Sequence, residues 1–245
     1  MIRKRQNRRC KVYFCSPNET FLHLNSRKVQ KDTEVVEMKH LVIIGAGGMG
    51  RTLFGMAFES LGFNTEFDVR GFIDDDEHAL DNFSNYAPIV GNISNYIPLA
   101  DDVFVSSIGG NFRKACIESL LARGANFINL IHNTTRIRTN VQMGVGNVFC
   151  PYSVVGADVV MGSFNLLQNF TVIGHDVHMG DYNRIDTHVT CVGGVRIGNM
   201  VDVYTSAVLN HGVVVEDNAH VGALSFVIRR VKSGTTVYGN PARRL

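Results

Sequence analysis

From residue 137 onward an apolar residue recurs every six positions. The series runs from Ile137, Met143, Phe149 and Val155 through Ile173, Met179, Ile185 and Cys191 to Val221 and Val227, without a slip in register. The residue two places before each is usually small or Val, as at Ser153, Thr171, Val189 and Ala207, and the residue after is often glycine (144, 156, 162, 174, 180, 198, 222). A period of six is neither the 3.6 of a helix nor the 2 of a half-buried strand. It is the pattern of a hexapeptide β-helix, in which each hexad forms one flat side of a triangular coil. Three hexads close a turn, so residues 137–232 predict about five coils. The apolar residue is expected to fill the axis, and the glycine or small polar residue after it to take the turn.

Residues 38–132 follow a different pattern. Short apolar runs at Leu41–Ile44, Val69–Ile73, Val103–Ser107 and Asn126–Ile131 alternate with helical stretches at Gly50–Leu61 and Phe112–Ala122. Strands alternating with helices predict a parallel sheet with crossover helices, a Rossmann-like α/β domain, although the block is short for a complete two-half dinucleotide fold. The expected organisation is therefore a tail (1–37), an α/β domain (38–132) and a β-helix (133–245).

Composition changes this picture in one respect. The chain of 245 residues carries 24 Lys+Arg and 22 Asp+Glu, a net of +2. Residues 1–37 hold nine of the basic and four of the acidic residues, which leaves the remainder at −3. The tail has no sustained period, no basic helix pattern and no interleaved aromatics, so a disordered extension or an unused upstream start is favoured over a nucleic-acid arm. No apolar run reaches membrane-span length and none follows the basic N-terminus as in a signal peptide. Five scattered cysteines without a C-x-x-C disfavour a zinc knuckle or disulfide framework and fit a reducing cytoplasm.

Two motifs carry chemistry. Gly45-Ala46-Gly47-Gly48-Met49-Gly50-Arg51 places G-x-G-x-x-G between a predicted strand and helix, where glycines admit a phosphate and the helix N-terminus supplies N–H donors. Asp74 and Asp75 end the next strand, where an acid meets a ribose or base. No Walker lysine follows the loop, which disfavours phosphoryl transfer. The second motif is Gly174-His175-Asp176. Residues 18 apart stack, so His175 lies between Ala157 and Gly193 in its column, a gap that leaves room for a ligand. His211 shares that face two coils on and is a competing base, better read as a ligand or solvent contact. His178, His188 and His220 read as surface or subunit-interface residues, and Cys191 as core.

With these motifs, together with Pro88-Ile89-Val90-Gly91 and the closing Gly239-Asn240-Pro241-Ala242-Arg243, residues 38–245 resemble the bacterial sugar O-acyltransferase family. That family includes sialic acid O-acetyltransferases and N-acetyltransferases of UDP-linked 4-amino sugars. The resemblance implies a homotrimer of left-handed parallel β-helices, each with a Rossmann-like nucleotide-sugar domain, and acetyl-CoA lying along the coils between subunits. It makes His175 the general base, assisted by Asp176. It puts the nucleotide-linked acceptor at Gly45, Gly47, Gly48, Gly50, Arg51, Asp74 and Asp75, and acetyl-CoA near Arg184, Gly193, Gly194, Gly212 and Gly222, with no metal. Two positions depart from the family pattern. Gln168 stands where the family often has Asn, and Arg184 where it often has a His that contacts the thioester.

The implied reaction is attack of a sugar amine or hydroxyl on a thioester. An imidazole suits removal of the nucleophile's proton at neutral pH. A backbone N–H near Gly193 or Gly194 is the expected oxyanion donor. The rivals are O-acetylation of a free sugar such as sialic acid, a zinc enzyme of the gamma carbonic anhydrase type built on His175 and His211, and a non-catalytic nucleotide-sugar binder. The zinc reading lacks its third histidine, since Glu216 stands in that region.

Overall fold

The computed structural model describes residues 37–110 and 112–245. The expectations for the basic tail lie outside the described residues. The first unit is a five-stranded parallel sheet of β1 (Lys39–Ile44), β2 (Phe67–Ile73), β3 (Ile89–Gly91), β4 (Asp102–Ser106) and β5 (Asn126–Phe127), in the order β3-β2-β1-β4-β5. Helix α1 (Gly48–Ala57) follows β1, and α2 (Phe112–Ala122) follows β4. Leu41 and Ile43 pack into one apolar cluster with Leu53 and Phe72, while Val42 and Ile44 pack into another with Phe104, Ile117 and Leu120. A central strand buried on both faces reads as an unbroken apolar run, as β1 does. The strand order reverses between β1 and β4. The loops after these two strands therefore open into one crevice, the place where open parallel sheets take ligands.

Several boundaries differ from the sequence expectation. Helix α1 begins at Gly48 and ends at Ala57, because the chain turns inward at Ser60, whose hydroxyl donates to Met56 O (2.8 Å). Strand β3 was not anticipated; three residues are too few to show a period. The expected strand at Asn126–Ile131 divides. Asn126–Phe127 pairs with β4, whereas Leu130–Ile131 pairs with Val148–Phe149 and is already the first rung of the β-helix. Ile131 lies six residues before Ile137, so the hexad register extends one step further back than position 137.

The β-helix is built of two-residue rungs in three parallel sheets, such as Leu166–Leu167, Val172–Ile173 and His178–Met179 around one coil. Rungs pair with those 18 residues away, as Val154 does with Val172 and Val160 with His178, until the last step, where His220 pairs with Thr236, 16 residues on. The six-period residues from Phe149 to Val227 form one axial cluster, which Val231 and Val237 extend out of step with the period. The expected role of the following glycine is corrected. The left-handed backbone falls three residues after the axial position, at Tyr152, Asp158, Phe164, Phe170, Asp176 and their successors. The glycine directly after the axial residue serves a close approach between coils: a Cβ on Gly174 would lie 2.7 Å from Gly193 N.

The side that carries the α/β domain shows why its outward residues change character. Reading coil by coil, they are Leu130, Val148, Leu166, Arg184, Asp202 and His220. The first three join the core of the α/β domain and are buried. The last three lie past its edge and are polar. A buried asparagine ladder runs beside them. Asn147, Asn165 and Asn183 are fully buried and linked by Nδ2-to-Oδ1 bonds of 3.0 Å, and each Oδ1 also accepts a backbone N–H one coil on. Arg113 of α2 locks the two units together by donating to Phe164 O and Asn183 O.

Candidate functional site

The glycine loop has the form its sequence demands. Gly45 sits at φ +93°, and a Cβ on Gly50 would lie 1.9 Å from Gly45 O, so neither position accepts a side chain. Gly47 caps α1 with no side chain over the first turn, and the space around its own Cβ position is open. Free N–H groups and an open approach are what an anionic ligand needs at a helix N-terminus. Asp74 braces the loop: Oδ2 accepts Ala46 N–H (2.6 Å) and Oδ1 accepts Asp76 N–H (3.0 Å). Arg51 folds back, donating to Ala46 O (3.2 Å) with its guanidinium 3.6 Å above the Phe83 ring. Asp75 accepts Ser94 N–H (3.2 Å). Gly48 is open on its outer side, where the nearest atom to its Cβ position is Arg51 Nη2 at 4.0 Å.

The crevice between β1 and β4 widens into a cavity of about 290 Å³. Its walls include Met49 of the glycine loop, Ser107–Gly110 after β4, Arg113 and Lys114 of α2, and Arg184, Asp202 and His220 of the β-helix. Sequence reasoning missed the second loop, α2's cations and the Asp202–His220 pair. Gly109-Gly110 between a strand and a helix is the signal that marks the loop, and steps of 18 from Arg184 reach Asp202 and His220. His220, expected at the surface, faces this cavity with Nδ1 3.3 Å from Asp202 Oδ2.

His175 lies elsewhere, at the corner between the two other sheets. Its Nδ1 pairs with Asp176 Oδ2 at 2.6 Å, and the ring is 65% exposed. Gly193 lies directly under it: a Cβ there would approach Cε1 and Nε2 to 2.5 Å. Gly194 N–H donates to His175 O (2.9 Å), so of the two candidate oxyanion donors Gly194 is engaged, and among the described residues the Gly193 N–H has no partner. Gly212 continues this corner, its N–H donating to Gly193 O (3.2 Å), and the His211 ring stands 3.5 Å from a Cβ position on Gly194. Thus His175, Asp176, Gly193, Gly194, His211 and Gly212 come together. Arg184 does not join them, because nine residues, half a coil, carry it to the cavity side. Gly222 lies at a third corner, under the Tyr238 ring.

Arg184 and Gln168 meet on one carboxylate. Arg184 donates from Nε to Asp186 Oδ1 (2.7 Å) and from Nη2 to Oδ2 (3.1 Å), and Gln168 Nε2 donates to Oδ1 (2.9 Å). Cys191 is fully buried on the axis, and burial pushes its thiol pKa up to about 12, so it is a core residue and no nucleophile. Among the described residues no three His, Cys, Asp or Glu side chains converge as a metal ion requires, and no helix is long and apolar enough to cross a membrane.

A glycine-loop α/β domain joined to a left-handed hexapeptide β-helix is the class that this fold defines. Residues 40–120 match the PglD N-terminal domain. The chain is similar in structure to the acetyltransferase domain of PglB from Neisseria gonorrhoeae, at 24% identity and a TM-score of 0.75 over 84% of this chain and all of that one. It is similar to PerB from Caulobacter crescentus, solved with CoA and GDP-perosamine, at 23% identity and a TM-score of 0.71 over 84% of this chain and 97% of that one. WeeI from Acinetobacter baumannii aligns at 24% identity and a TM-score of 0.61, over 85% of this chain and all of that one. No curated protein matches by sequence.

Proposed function

We propose that this protein transfers an acetyl group from acetyl-CoA to an amino or hydroxyl group of a nucleotide-linked sugar. The observation that carries this reading is the His175–Asp176 pair, seated over the bare backbone of Gly193 on an open corner. Asp176 holds Nδ1 and leaves Nε2 to take the proton of the attacking amine or hydroxyl. The new bond forms to the thioester carbonyl carbon, the Gly193 N–H receives the developing oxyanion, and the C–S bond breaks with CoA leaving as thiolate. The glycine loop and its crevice hold the nucleotide. The similar proteins solved with CoA and GDP-perosamine support this assignment.

A homotrimer fits the same geometry. The glycine-loop cavity opens over one side of the prism and His175 projects from the opposite corner, so a second copy is needed to bring an acceptor held by one chain to the base of another. The sheet beside His175 presents outward Val154, Val172, Thr190, Val208 and Phe226 beyond Arg136, a mainly apolar side suited to such a neighbour. Acetyl-CoA would then lie along the coils between copies, past Gly193, Gly194 and Gly212. We place the reaction in the cytoplasm, where acetyl-CoA and nucleotide sugars are made.

The test is thiol release from acetyl-CoA against a panel of nucleotide-linked amino sugars, their hydroxyl counterparts and free sialic acid. Turnover only with free sialic acid would replace the nucleotide-linked acceptor, and no thiol release with any acceptor would leave a binding protein.

A further inference from the structure

The cavity beside the glycine loop gathers three cations in a body that is net negative. Arg113, Lys114 and Arg184 line it with one acid, Asp202, while Glu118 pairs with Lys114 (3.8 Å) and Asp186 with Arg184 from outside the lining, and residues 38–245 as a whole carry −3. Arg113 is 5% exposed, and among the described residues its Nε has no hydrogen-bond partner. Burial pushes its pKa down to about 10, which leaves it charged at neutral pH. Arg184 reaches this cavity from the β-helix. Asp186 takes its Nε and Nη2 and fixes the plane of the guanidinium, and Gln168 in turn holds Asp186. The remaining nitrogen, Nη1, is turned across the cavity to the loop after β4, 4.0 Å from where a Cβ on Gly109 would stand. A clamped guanidinium whose Nη1 has no partner among the described residues, facing a bare glycine loop, is built to receive an anionic oxygen.

We propose that Arg184 binds the diphosphate of the nucleotide-linked acceptor, closing an anion site formed with Lys114 and the two glycine loops, and does not contact acetyl-CoA. The inference rests on the nucleotide-linked acceptor proposed above. It makes the β-helix a direct contributor to nucleotide binding, and Gln168–Asp186 the positioning pair for that contact.

The experiment is calorimetric titration of the full chain, without acetyl-CoA, using UDP, GDP and dTDP and the matching nucleosides, with CoA titrated separately. For the wild type, one diphosphate is expected to bind more tightly than its nucleoside. Arg184→Gln should weaken that diphosphate by about tenfold or more while changing neither nucleoside nor CoA affinity. Asp186→Asn should produce a smaller loss of the same kind. Unchanged melting temperatures would show that the fold is intact; if Arg184→Gln melts early, Arg184→Lys, which keeps the charge and loses the fork, carries the comparison. Weakened CoA binding with unchanged diphosphate affinity overturns the proposal, as does no change in either. A wild type that binds no nucleotide or nucleoside overturns the acceptor reading itself.

Discussion

The imidazole of His175 rests on Gly193, one coil further along, with no room between ring and backbone for even a methyl group. Gly193 does not adopt the left-handed conformation that would itself require glycine, so its lack of a side chain serves the histidine and not the turn. Gly193→Ala is therefore expected to displace an exposed ring at little cost to the fold. A fall in kcat of about tenfold or more with an unchanged melting temperature would be the signature, since loss of base alignment is a rate effect.

Removing the proposed base itself should cost more. His175→Ala is expected to lower kcat by about 10²–10⁴ while nucleotide binding survives. Asp176→Asn keeps a residue tolerant of φ +58° but removes the carboxylate from Nδ1, and should fall between the wild type and His175→Ala. Steady-state kinetics on both variants, with diphosphate affinity measured alongside, would check this; near-normal turnover of His175→Ala would remove the histidine from the mechanism.

The two ends of the glycine loop separate fold from ligand. A methyl at Gly50 collides with Gly45 O, so Gly50→Ala should lower the melting temperature and abolish nucleotide binding together. Among the described residues nothing lies within 4 Å of a Cβ on Gly47, so Gly47→Ala should leave stability unchanged yet weaken binding by filling the proposed ligand's space. Unchanged affinity in Gly47→Ala would move the nucleotide away from this loop.

Asn165 is the middle rung of the buried ladder, and cutting its side chain leaves Asn147 Oδ1 with the residue 165 backbone N–H alone and orphans the Nδ2 and backbone N–H of Asn183. Asn165→Ala should destabilise the β-helix by on the order of 3 kcal/mol in denaturant titration.

Burial raises the thiols of Cys150 and Cys191 to about 12, so both stay protonated at pH 8, where thiolate chemistry requires deprotonation. Among the described cysteines an alkylating reagent should modify Cys116, which is half-buried, and spare the other two until the protein unfolds. Peptide mapping after brief alkylation would read this directly, and Cys191→Val should retain acetyl transfer.

The sequence alone determined the architecture and singled out the Gly174-His175-Asp176 corner. A six-residue apolar period has one packing solution, because only a triangular coil returns every sixth side chain to a common axis, and it also stacks His175 on Gly193. The run Leu41–Ile44 into a glycine loop likewise has only one common structural setting. What the sequence left undetermined depends on which side of the prism a residue faces relative to the other unit. Arg184 read as a companion of His175 nine residues away, yet half a coil carries it to the opposite side, where the α/β domain ends and a cavity begins. The change from Leu130, Val148 and Leu166 to Arg184, Asp202 and His220 is visible along the chain, but its meaning is not. Only the docking of the α/β domain, fixed by Arg113 on Phe164 O and Asn183 O, decides which of those residues are core and which form a site. Period is a local property that the chain writes out directly, whereas the pairing of two surfaces is set by contacts between residues far apart in sequence.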